Sequence, residues 1–481
     1  MKLFRNRTLT GFIVFFGLLY ALISLVNHYT FRTYALDLGL YTNALYDYAH
    51  LQWNDSTVFK EVAVNLLSDH FDLYLIIFSP FGFIFQTYTL LIIQIIFVLI
   101  GGIGVYQYLM FTNNNSRLAL SGSIYFWTFF GVFSAIAYDY HSNVIAATLV
   151  PWFLLNLKKS RFIRALLLLT GIVIAKENMS FFMAFVCLGL AIEYRKNVPA
   201  RNYLIFSGIS CLILFVIITS WIMPSIEGVT GYPNFKYHIL GNNFGEAFMN
   251  LIKHPVHSFK AFFTNHTGHP SGDYVKAEFL VMLLCTGLPL LIFRPQWLIM
   301  LIPVAFQKLF HDNYVIWGFS GQYAIEFAPL LAIGVFESVG MIKAEKWKNR
   351  ITALVVILSI ATTIRSMDKT VLFTNKSMIR FYKSSHYSRD YDIKQVHVQL
   401  KQLPSNVLIS AQAPFLPHLA WADTIYQFPI IKEARYILYS KKEESYPLSS
   451  AEFTQITDSL EHSNHWGVIY NQDEFVILKR K

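Results

Sequence analysis

Ionisable side chains occur in four short stretches, each beside a long hydrophobic segment of the chain. These stretches are Asp37, Asp69-His70, Asp139-x-His141 and Lys176-Glu177. Carboxylates and imidazoles act as general acids and bases and bind divalent cations, whereas lysine is a common partner for phosphate. The residue types therefore predict a site for proton transfer, for a phosphate or for a cation, provided that the fold brings the stretches together.

Asp37 follows the first hydrophobic segment and has Gly39 close behind it. A carboxylate in this place can accept the proton of a hydroxyl group, or hold a divalent cation that neutralises a phosphate leaving group. A helix N-cap or a solvated aspartate explains the same residue without any function. Asp37 is therefore a candidate catalytic base or metal ligand, and both functional roles stay open.

The two aspartate–histidine pairs combine a carboxylate with an imidazole, which suits metal ligation or acid–base catalysis. For Asp69 and His70, the polar end of a loop is an equally good explanation. Asp139 and His141 stand at the end of a hydrophobic segment, where an ionisable pair is a functional hypothesis by default. We expect Asp139 and His141 to share a substrate phosphate, or a metal, with Asp37.

Lys176 and Glu177 interrupt an apolar stretch that runs from Ala165 to Tyr194. In the functional interpretation the lysine binds a phosphate and the glutamate orients the lysine. In the alternative, the two residues form the turn of a helical hairpin and pair with each other. Glu326 also enters a hydrophobic segment, where a carboxylate needs a polar partner or a cavity.

The composition is that of a polytopic membrane protein. The 481 residues are 54% hydrophobic, 17% aromatic and only 14% charged, whereas about 25% of the residues of an average soluble domain are charged. The net charge of +10 comes largely from short basic clusters such as Lys2, Arg5 and Arg7, which stand beside hydrophobic blocks as cytoplasmic anchors do. Nucleic acid is therefore not an expected partner.

Residues 1–366 are predicted to form an all-α membrane domain, because their hydrophobic blocks approach the roughly 20 residues that span a bilayer. About eleven transmembrane helices are expected, at residues 8–27, 89–111, 118–137, 143–157, 163–176, 178–194, 203–223, 279–293, 296–310, 325–342 and 351–366. Basic loops mark the cytoplasmic side, and they place the N-terminus inside and the loops 28–88 and 224–278 outside.

The hydrophobic block 71–88 is the exception, since Pro80, Gly82 and Gln86 interrupt it. A crossing at this block would move three basic loops to the outer face, against the usual lysine and arginine bias. We therefore predict that residues 71–88 lie along the membrane, which also leaves all four ionisable stretches on the outer side.

Residues 367–481 contain no spanning run and are predicted to form a small soluble extracytoplasmic α/β domain. Short runs of β-branched and aromatic residues indicate strands at 406–411, 434–439, 466–470 and 475–478, with a turn at 471–474. Amphipathic patterns indicate helices at 392–403 and 450–462.

Several short motifs occur in an order that resembles a known family. They are Leu36-Asp37-Leu38-Gly39, Asp69-His70-Phe71, Tyr140-His141, Ala175-Lys176-Glu177, His254-Pro255, and Tyr323 ahead of Ala328-Pro329. The family consists of polytopic prokaryotic membrane proteins whose defining domain has no assigned function. That family in turn resembles the GT-C membrane glycosyltransferases, which take a sugar from a polyprenyl phosphate at the outer face.

The resemblance implies an activity and a division of roles. Asp37, Asp139 and His141 become the catalytic residues, while Lys176, Glu177, Asp69, His70 and Tyr323 become substrate-binding residues. The implied partners are a polyprenyl-phosphate sugar, membrane lipids, and a glycan, lipid or protein acceptor. The motif Asp37-Leu38-Gly39 departs from the Asp-x-Asp or Glu-x-Asp motif of GT-C enzymes, so a divalent cation is an option rather than a requirement.

Two other classes of function remain open. A transporter or lipid flippase is expected to have paired inverted halves and polar residues at the bilayer midplane, whereas the ionisable residues here gather at one face. A non-catalytic membrane scaffold that presents the C-terminal domain is the other alternative, and it predicts no effect of Asp37→Asn on glycans.

Overall fold

The hydrophobic blocks fold into helices at the predicted positions. The structure, a computed structural model, describes residues 6–59, 64–229, 231–232, 234–372, 374–404 and 407–481. Lys2 and Arg5 of the N-terminal basic cluster, and Asn406 of the first predicted strand, lie outside the described residues. The helices that coincide with predicted spans are Arg7–Tyr29, Thr89–Asn113, Ser116–Thr128 with Phe130–Ala137, Ser142–Lys158, Phe162–Val173, Glu177–Glu193, Val198–Ile217, Val275–Cys285, Gln296–Leu309, Phe327–Gly340 and Glu345–Asp368.

The length and composition of these helices confirm the membrane class. Within the described ranges, four helical segments are long and apolar enough to cross a bilayer: Arg7–Tyr29, Tyr74–Asn113, Val198–Glu227 and Glu345–Asp368. The pair Ser116–Thr128 and Phe130–Ala137, bent by 41°, makes a fifth if it is one span. The remaining apolar helices are shorter, so the number of eleven crossings stays a prediction.

The segment Tyr74–Asn113 is divided into two helices. Its 40 residues would extend about 60 Å as one straight helix, twice the thickness of the hydrocarbon core. The first helix, Tyr74–Phe85, ends at Gln86, whose φ of 47° lies in the left-handed region. The helix Thr89–Asn113 then begins. This break agrees with the prediction that residues 71–88 lie along the membrane, which stays a prediction.

Small residues allow the membrane helices to pack closely. A side chain at Gly102, in helix Thr89–Asn113, would place its Cβ 2.2 Å from ring atoms of Trp127. At the same contact, the hydroxyl of Ser123 donates a hydrogen bond to the carbonyl of Gly102 over 2.9 Å. Close backbone approach of this kind stabilises helix pairs in a membrane, where the hydrophobic effect does not.

The chain divides into two compact units. The first contains Met1–Ala21, Leu67–Asp72 and Gln94–Ile379, and the second contains Leu22–Leu66, Leu73–Ile93 and Arg380–Lys481. The second unit therefore includes parts of the predicted outer loop 28–88 as well as the C-terminal tail. The predicted domain boundary after residue 366 and the location of the tail outside the cell stay predictions.

The C-terminal tail forms the predicted α/β domain. Its described residues contain the strands β1 Ile409–Ala411, β2 Tyr426–Gln427, β3 Tyr436–Ser440, β4 Trp466–Gln472 and β5 Phe475–Arg480, in the order β2-β1-β3-β5-β4. β1 is parallel to β2 and β3, whereas β5 is antiparallel to β3 and β4. The helices Ile393–Gln402 and Ser450–Glu461 complete the domain.

The sheet is buried on both faces. Leu438 and Ile477 pack into one hydrophobic cluster, and their neighbours Ile437 and Leu478 pack into another. Because successive side chains of a strand point to opposite faces, the central strands require apolar residues at every position. Such continuous apolar runs are the reason why the sequence predicts these strands.

A partly buried ionic network joins several membrane helices in the first unit. Arg294 forms ion pairs with Glu337 over 2.9 Å and with Glu193 over 3.2 Å. Glu193 also pairs with Lys158 over 2.5 Å, and the hydroxyl of Tyr108 donates to Glu337 over 2.8 Å. Each charge of the network therefore has a partner of opposite charge, which a buried charge requires.

The substitution Arg294→Met is expected to destabilise the protein strongly. It leaves Glu337, whose side chain is only 5% exposed, without its cationic partner, and breaking a buried pair on one side costs about 3–5 kcal/mol. A thermal unfolding experiment in detergent measures the effect as a lower Tm. The double variant Arg294→Met with Glu337→Gln should recover part of the loss, whereas an unchanged Tm in the single variant would contradict the assignment.

Candidate functional site

A cavity of about 310 Å³ in the first unit collects polar side chains from distant parts of the sequence. Its wall contains His70, Asn143, Lys176, Glu177, Asn178, Tyr232, Asn234, Lys236, Tyr237, Val304, Gln307, Lys308, His311, Ile316, Gln322, Tyr323 and Glu326. We call this the cationic cavity, because three lysines stand against two glutamates. Four of the five predicted substrate-binding residues line it: His70, Lys176, Glu177 and Tyr323.

Glu177 holds part of the wall of the cationic cavity in place through hydrogen bonds. It begins the helix Glu177–Glu193, where the partial positive charge of a helix N-terminus stabilises a carboxylate. Its oxygens accept hydrogen bonds from the hydroxyl of Tyr232 over 2.9 Å and from the backbone N–H of Phe71 over 3.2 Å. Glu177 therefore fixes two loops, each distant from it in the sequence, at the cavity.

His70 lies between the lysine and the carboxylates. Its Nε2 is 3.3 Å from Nζ of Lys176, and its Nδ1 is 3.5 Å from a carboxylate oxygen of Glu177. Asp69 stands behind His70 at 4.0 Å, with its own side chain half exposed, and its oxygens accept hydrogen bonds from Asn234. Asp69 is thus a neighbour of the cationic cavity rather than part of its wall.

The charges of this cluster shift the pKa values of its members. Burial and the charge of Lys176 lower the pKa of His70, but Asp69 and Glu177 more than offset them, so that the pKa lies above the usual 6.5. Burial raises the pKa of Glu177, yet the hydrogen bond and charge of His70, together with Lys176, bring it down to about 2. Imidazolium and carboxylate therefore stabilise each other.

This mutual stabilisation predicts a dependence of stability on pH. The raised pKa of His70 contributes stability that is fully present below pH 6.5 and is lost as the pH rises through the pKa of the folded state. The lowered pKa of Glu177 contributes stability above pH 4.5 that is lost as the pH falls towards 2. The Tm difference between wild type and His70→Gln should therefore shrink from pH 6 to pH 9, which roughly brackets the ordinary histidine pKa.

A histidine outside the cluster provides the control for this measurement. His254 is exposed, so His254→Gln should have nearly the same Tm as wild type at every pH. A Tm difference for His70→Gln that stays constant or grows as the pH rises would contradict the ion pair.

Glu326 has both the polar partner and the cavity that its position required. The side-chain amide of Asn143 donates a hydrogen bond to it over 2.7 Å, and both residues line the cationic cavity. The amide oxygens of Asn143 and Gln322 are buried and have no hydrogen-bond partner among the described residues. A buried acceptor without a donor costs free energy, and both oxygens are enclosed by protein rather than exposed to the cavity.

Lys308 also lines the cationic cavity, a position that was not predicted from the sequence. Its ammonium group donates to the carbonyls of Ile316 and Gly318, each over 2.6 Å, and lies 4.5 Å from the ring of Phe279. Lys308 therefore has structural partners, whereas the side chain of Lys236 is exposed at the cavity. Lys176 and Lys236 are the lysines that can reach a ligand.

The turn Tyr138–Asn143 carries the predicted catalytic residues Asp139 and His141. Both side chains are buried, and neither is among the residues that line the cationic cavity. Gln94 holds the turn: its amide oxygen accepts from the backbone N–H of His141 over 2.9 Å, and its amide nitrogen lies 3.4 Å from the carbonyl of Asp139. The turn reaches the cationic cavity through Asn143.

Two residues that hold the turn of residues 138–143 in place were not predicted from the sequence. Gln94 is fully buried within a predicted membrane helix, and Asp72 is fully buried and accepts a hydrogen bond from the hydroxyl of Tyr140 over 3.2 Å. A polar side chain inside an apolar segment is a signal that favours such a role. For Gln94, this signal is present in the sequence itself.

Asp37 belongs to the second unit. It lies half-buried in a single π-helical turn, Ala35–Gly39, which leads into the helix Leu40–Ala49. Single π-helical turns are rare and often occur at functional sites. Asp139 and His141 belong to the first unit, and a substrate that they share with Asp37 stays a prediction.

The described residues do not offer a ready set of metal ligands. No group of three or more histidine, cysteine, aspartate or glutamate side chains within the described ranges is arranged to hold a metal ion. Binding of a divalent cation by the candidate ligands Asp37, Asp139 and His141 stays a prediction. We assign no step of the reaction to a divalent cation.

Comparison with known proteins identifies the family and the fold. A family model described as "Predicted membrane protein (DUF2079)" matches residues 27–477. No curated protein matches the chain in sequence.

The solved structures that resemble this chain are GT-C membrane glycosyltransferases. ArnT from Cupriavidus metallidurans, crystallised with undecaprenyl phosphate, has a TM-score of 0.54 at 10% identity over 98% of both chains. The arabinofuranosyltransferase AftD from Mycobacteria has a TM-score of 0.50 at 13% identity, over 99% of this chain and 40% of its own. The likeness confirms the predicted GT-C-like fold.

Proposed function

This chain belongs to the DUF2079 family of predicted membrane proteins, and we propose that it transfers a sugar from a polyprenyl-phosphate donor to an acceptor at the outer face of the cell membrane. The GT-C-like fold supports a membrane glycosyltransferase in general. The donor, the side of the membrane and the roles of individual residues belong to the proposal.

The observation that carries the proposal is the composition of the cationic cavity. Lys176 and Lys236 provide ammonium groups for a phosphate, and His70 adds positive charge below its raised pKa. The wall also contains the side-chain amides of Asn178, Asn234 and Gln307, a type of group that both donates hydrogen bonds to sugar hydroxyls and accepts them. A sugar phosphate needs both kinds of group in one place.

The chain's own residues then have defined roles. Lys176 binds the donor phosphate; its ammonium group lies 3.3 Å from Nε2 of His70, whose Nδ1 is 3.5 Å from the carboxylate of Glu177. The bond between the sugar carbon and the phosphate oxygen breaks, and the polyprenyl phosphate leaves with the electron pair. The acceptor oxygen forms the new bond to that carbon, and its proton passes to a carboxylate, for which Asp37 is our candidate.

One solved structure that resembles this chain contains a lipid carrier, which supports the choice of donor. ArnT was crystallised with undecaprenyl phosphate, a carrier whose phosphate would meet lysines if it occupied the cationic cavity here. At 10% identity that protein is a guide to the fold, and the assignment of the donor rests on the side chains of this cavity.

Proteoliposomes that contain the purified full-length protein test the proposal. Radiolabelled polyprenyl-phosphate sugars are supplied in the membrane, together with glycan, lipid and peptide acceptors. The proposal predicts label in an acceptor and loss of label from the lipid. Movement of intact donor between the leaflets without transfer would instead identify a flippase, and no change of any donor would favour a scaffold.

A further inference from the structure

A second cavity, of about 370 Å³, adjoins the cationic cavity in the first unit. It lies among the helix Phe130–Ala137, the loop that follows Asn313, and the segment after the helix Glu345–Asp368. We call it the neutral cavity, because its described lining contains one glutamate, Glu278, and one lysine, Lys376, whose charges cancel. The proposed transfer of a sugar assigns no role to the neutral cavity.

The lining of the neutral cavity combines hydroxyl, amide and aromatic groups. Ser134, Ser320, Thr370, Asn375 and Tyr138 represent these three types. Hydroxyls and amides both donate and accept hydrogen bonds, and aromatic rings pack on the apolar faces of sugar rings. A few polar groups on a partly apolar wall are typical of small-molecule sites.

The two charged residues in this lining, among the described residues, already have partners. Lys376 donates to the carbonyl of Ser366 over 3.0 Å. Glu278 pairs with Arg365 over 3.1 Å and accepts the backbone N–H of Val371 over 2.8 Å. With one ammonium group and one carboxylate among the described lining residues, the cavity has no excess of positive charge to attract an anion. The neutral cavity therefore favours a ligand without charge.

The walls of the two cavities are continuous. Ile316 and Tyr323 line both. The turn Tyr138–Asn143 contributes its first residue to the neutral cavity and its last residue to the cationic cavity. One cavity thus suits a phosphate and its sugar, and its neighbour suits an uncharged polyol, which are the two substrates that a glycosyl transfer brings together.

We infer that the neutral cavity binds the acceptor, and that the acceptor is an uncharged glycan whose hydroxyl group attacks the donor sugar near Tyr323. This inference rests on the proposed function and makes it more specific. The new bond joins the acceptor oxygen to the sugar carbon, the carbon–phosphate oxygen bond breaks, the polyprenyl phosphate leaves, and the hydroxyl proton passes to a carboxylate. Tyr323, which lines both cavities, then lies beside the point where the two substrates meet.

Saturation-transfer NMR of the full-length protein in nanodiscs tests the inference. The probes are the methyl glycosides of glucose, galactose, mannose and N-acetylglucosamine, with glucuronic acid and inositol phosphate as anionic comparisons. At least one neutral glycoside should bind to wild type more strongly than the anionic compounds. Ser320→Trp, which fills the cavity, should lower that binding by about tenfold, whereas Ser271→Trp, at an exposed residue that lines neither cavity, should retain it.

A second cavity-filling variant and a control for folding accompany this experiment. Ser134→Phe fills the same cavity from a different element, and binding of tritiated undecaprenyl phosphate by each variant shows that the protein is folded. Binding of glycosides that survives both filling variants, or binding of anionic sugars alone, would overturn the inference. Lys176→Met should weaken binding of the lipid phosphate by about 10- to 100-fold but leave binding of the glycoside unchanged, so failure of the donor assignment and failure of the acceptor assignment are distinguishable.

Discussion

Replacing Asp37 by asparagine is expected to lower the rate of sugar transfer by about 10²- to 10⁴-fold, the usual contribution of a general base. Asparagine retains the size of the side chain but cannot take the proton of the acceptor hydroxyl. Because Asp37 is half-buried within a π-helical turn, the substitution should preserve the fold. The measurement is the initial rate of label transfer by the purified protein, with the Tm as a check on folding.

The rates of two variants decide between a base and a structural residue. Asp55 is exposed in the same unit, so Asp55→Asn should keep the wild-type rate. A base also predicts that the rate of Asp37→Glu falls less than that of Asp37→Asn, since glutamate restores the carboxylate. Wild-type turnover of Asp37→Asn would remove Asp37 from the mechanism.

The substitution Lys176→Met is expected to weaken the binding of undecaprenyl phosphate by about 10- to 100-fold. Hydrogen bonds to charged groups contribute about 1.5–3 kcal/mol, and about 1.4 kcal/mol corresponds to a factor of ten in affinity. Methionine has a similar length without the charge, so the shape of the cationic cavity should persist. Equilibrium binding of tritiated undecaprenyl phosphate measures the loss.

A lysine away from the cavity separates a local effect from a general effect of charge. Lys260 is exposed in the helix Pro255–Phe263, and Lys260→Met should bind the lipid as wild type does. Equal losses for the two variants would indicate attraction by the overall positive charge of +10. The contribution of Lys176 to the site would then be contradicted.

Much of the fold can be predicted from the sequence, because hydrophobic blocks and runs of β-branched residues determine the local secondary structure. The helix Glu345–Asp368 and the strands β3 and β5 follow directly from such patterns. The two-residue strand Tyr426–Gln427 was missed because it is too short to form a pattern. The π-helical turn at Asp37 has no sequence signal that distinguishes it from an ordinary helix start.

The candidate site can be predicted from the sequence only in part, because its contacts join residues that are far apart in the chain. Lys176 and Glu177 suggested a pair with each other, yet Glu177 bonds to Tyr232 and lies against His70. Lys308 was missed because a lysine in an apolar helix reveals its carbonyl partners only in the folded protein. Burial, more than residue type, decides which polar groups face the cavity.

Photo-crosslinking tests the central claim, that the cationic cavity holds the donor phosphate. A polyprenyl phosphate with a diazirine beside its phosphate is irradiated with the full-length protein in nanodiscs, and the labelled peptides are identified by mass spectrometry. Label on the peptides that contain Lys176 or Tyr232–Lys236, removed by excess undecaprenyl phosphate, is the predicted result. Label confined to other segments, such as those around Lys158 and Arg294, or label that excess lipid does not remove, would contradict it.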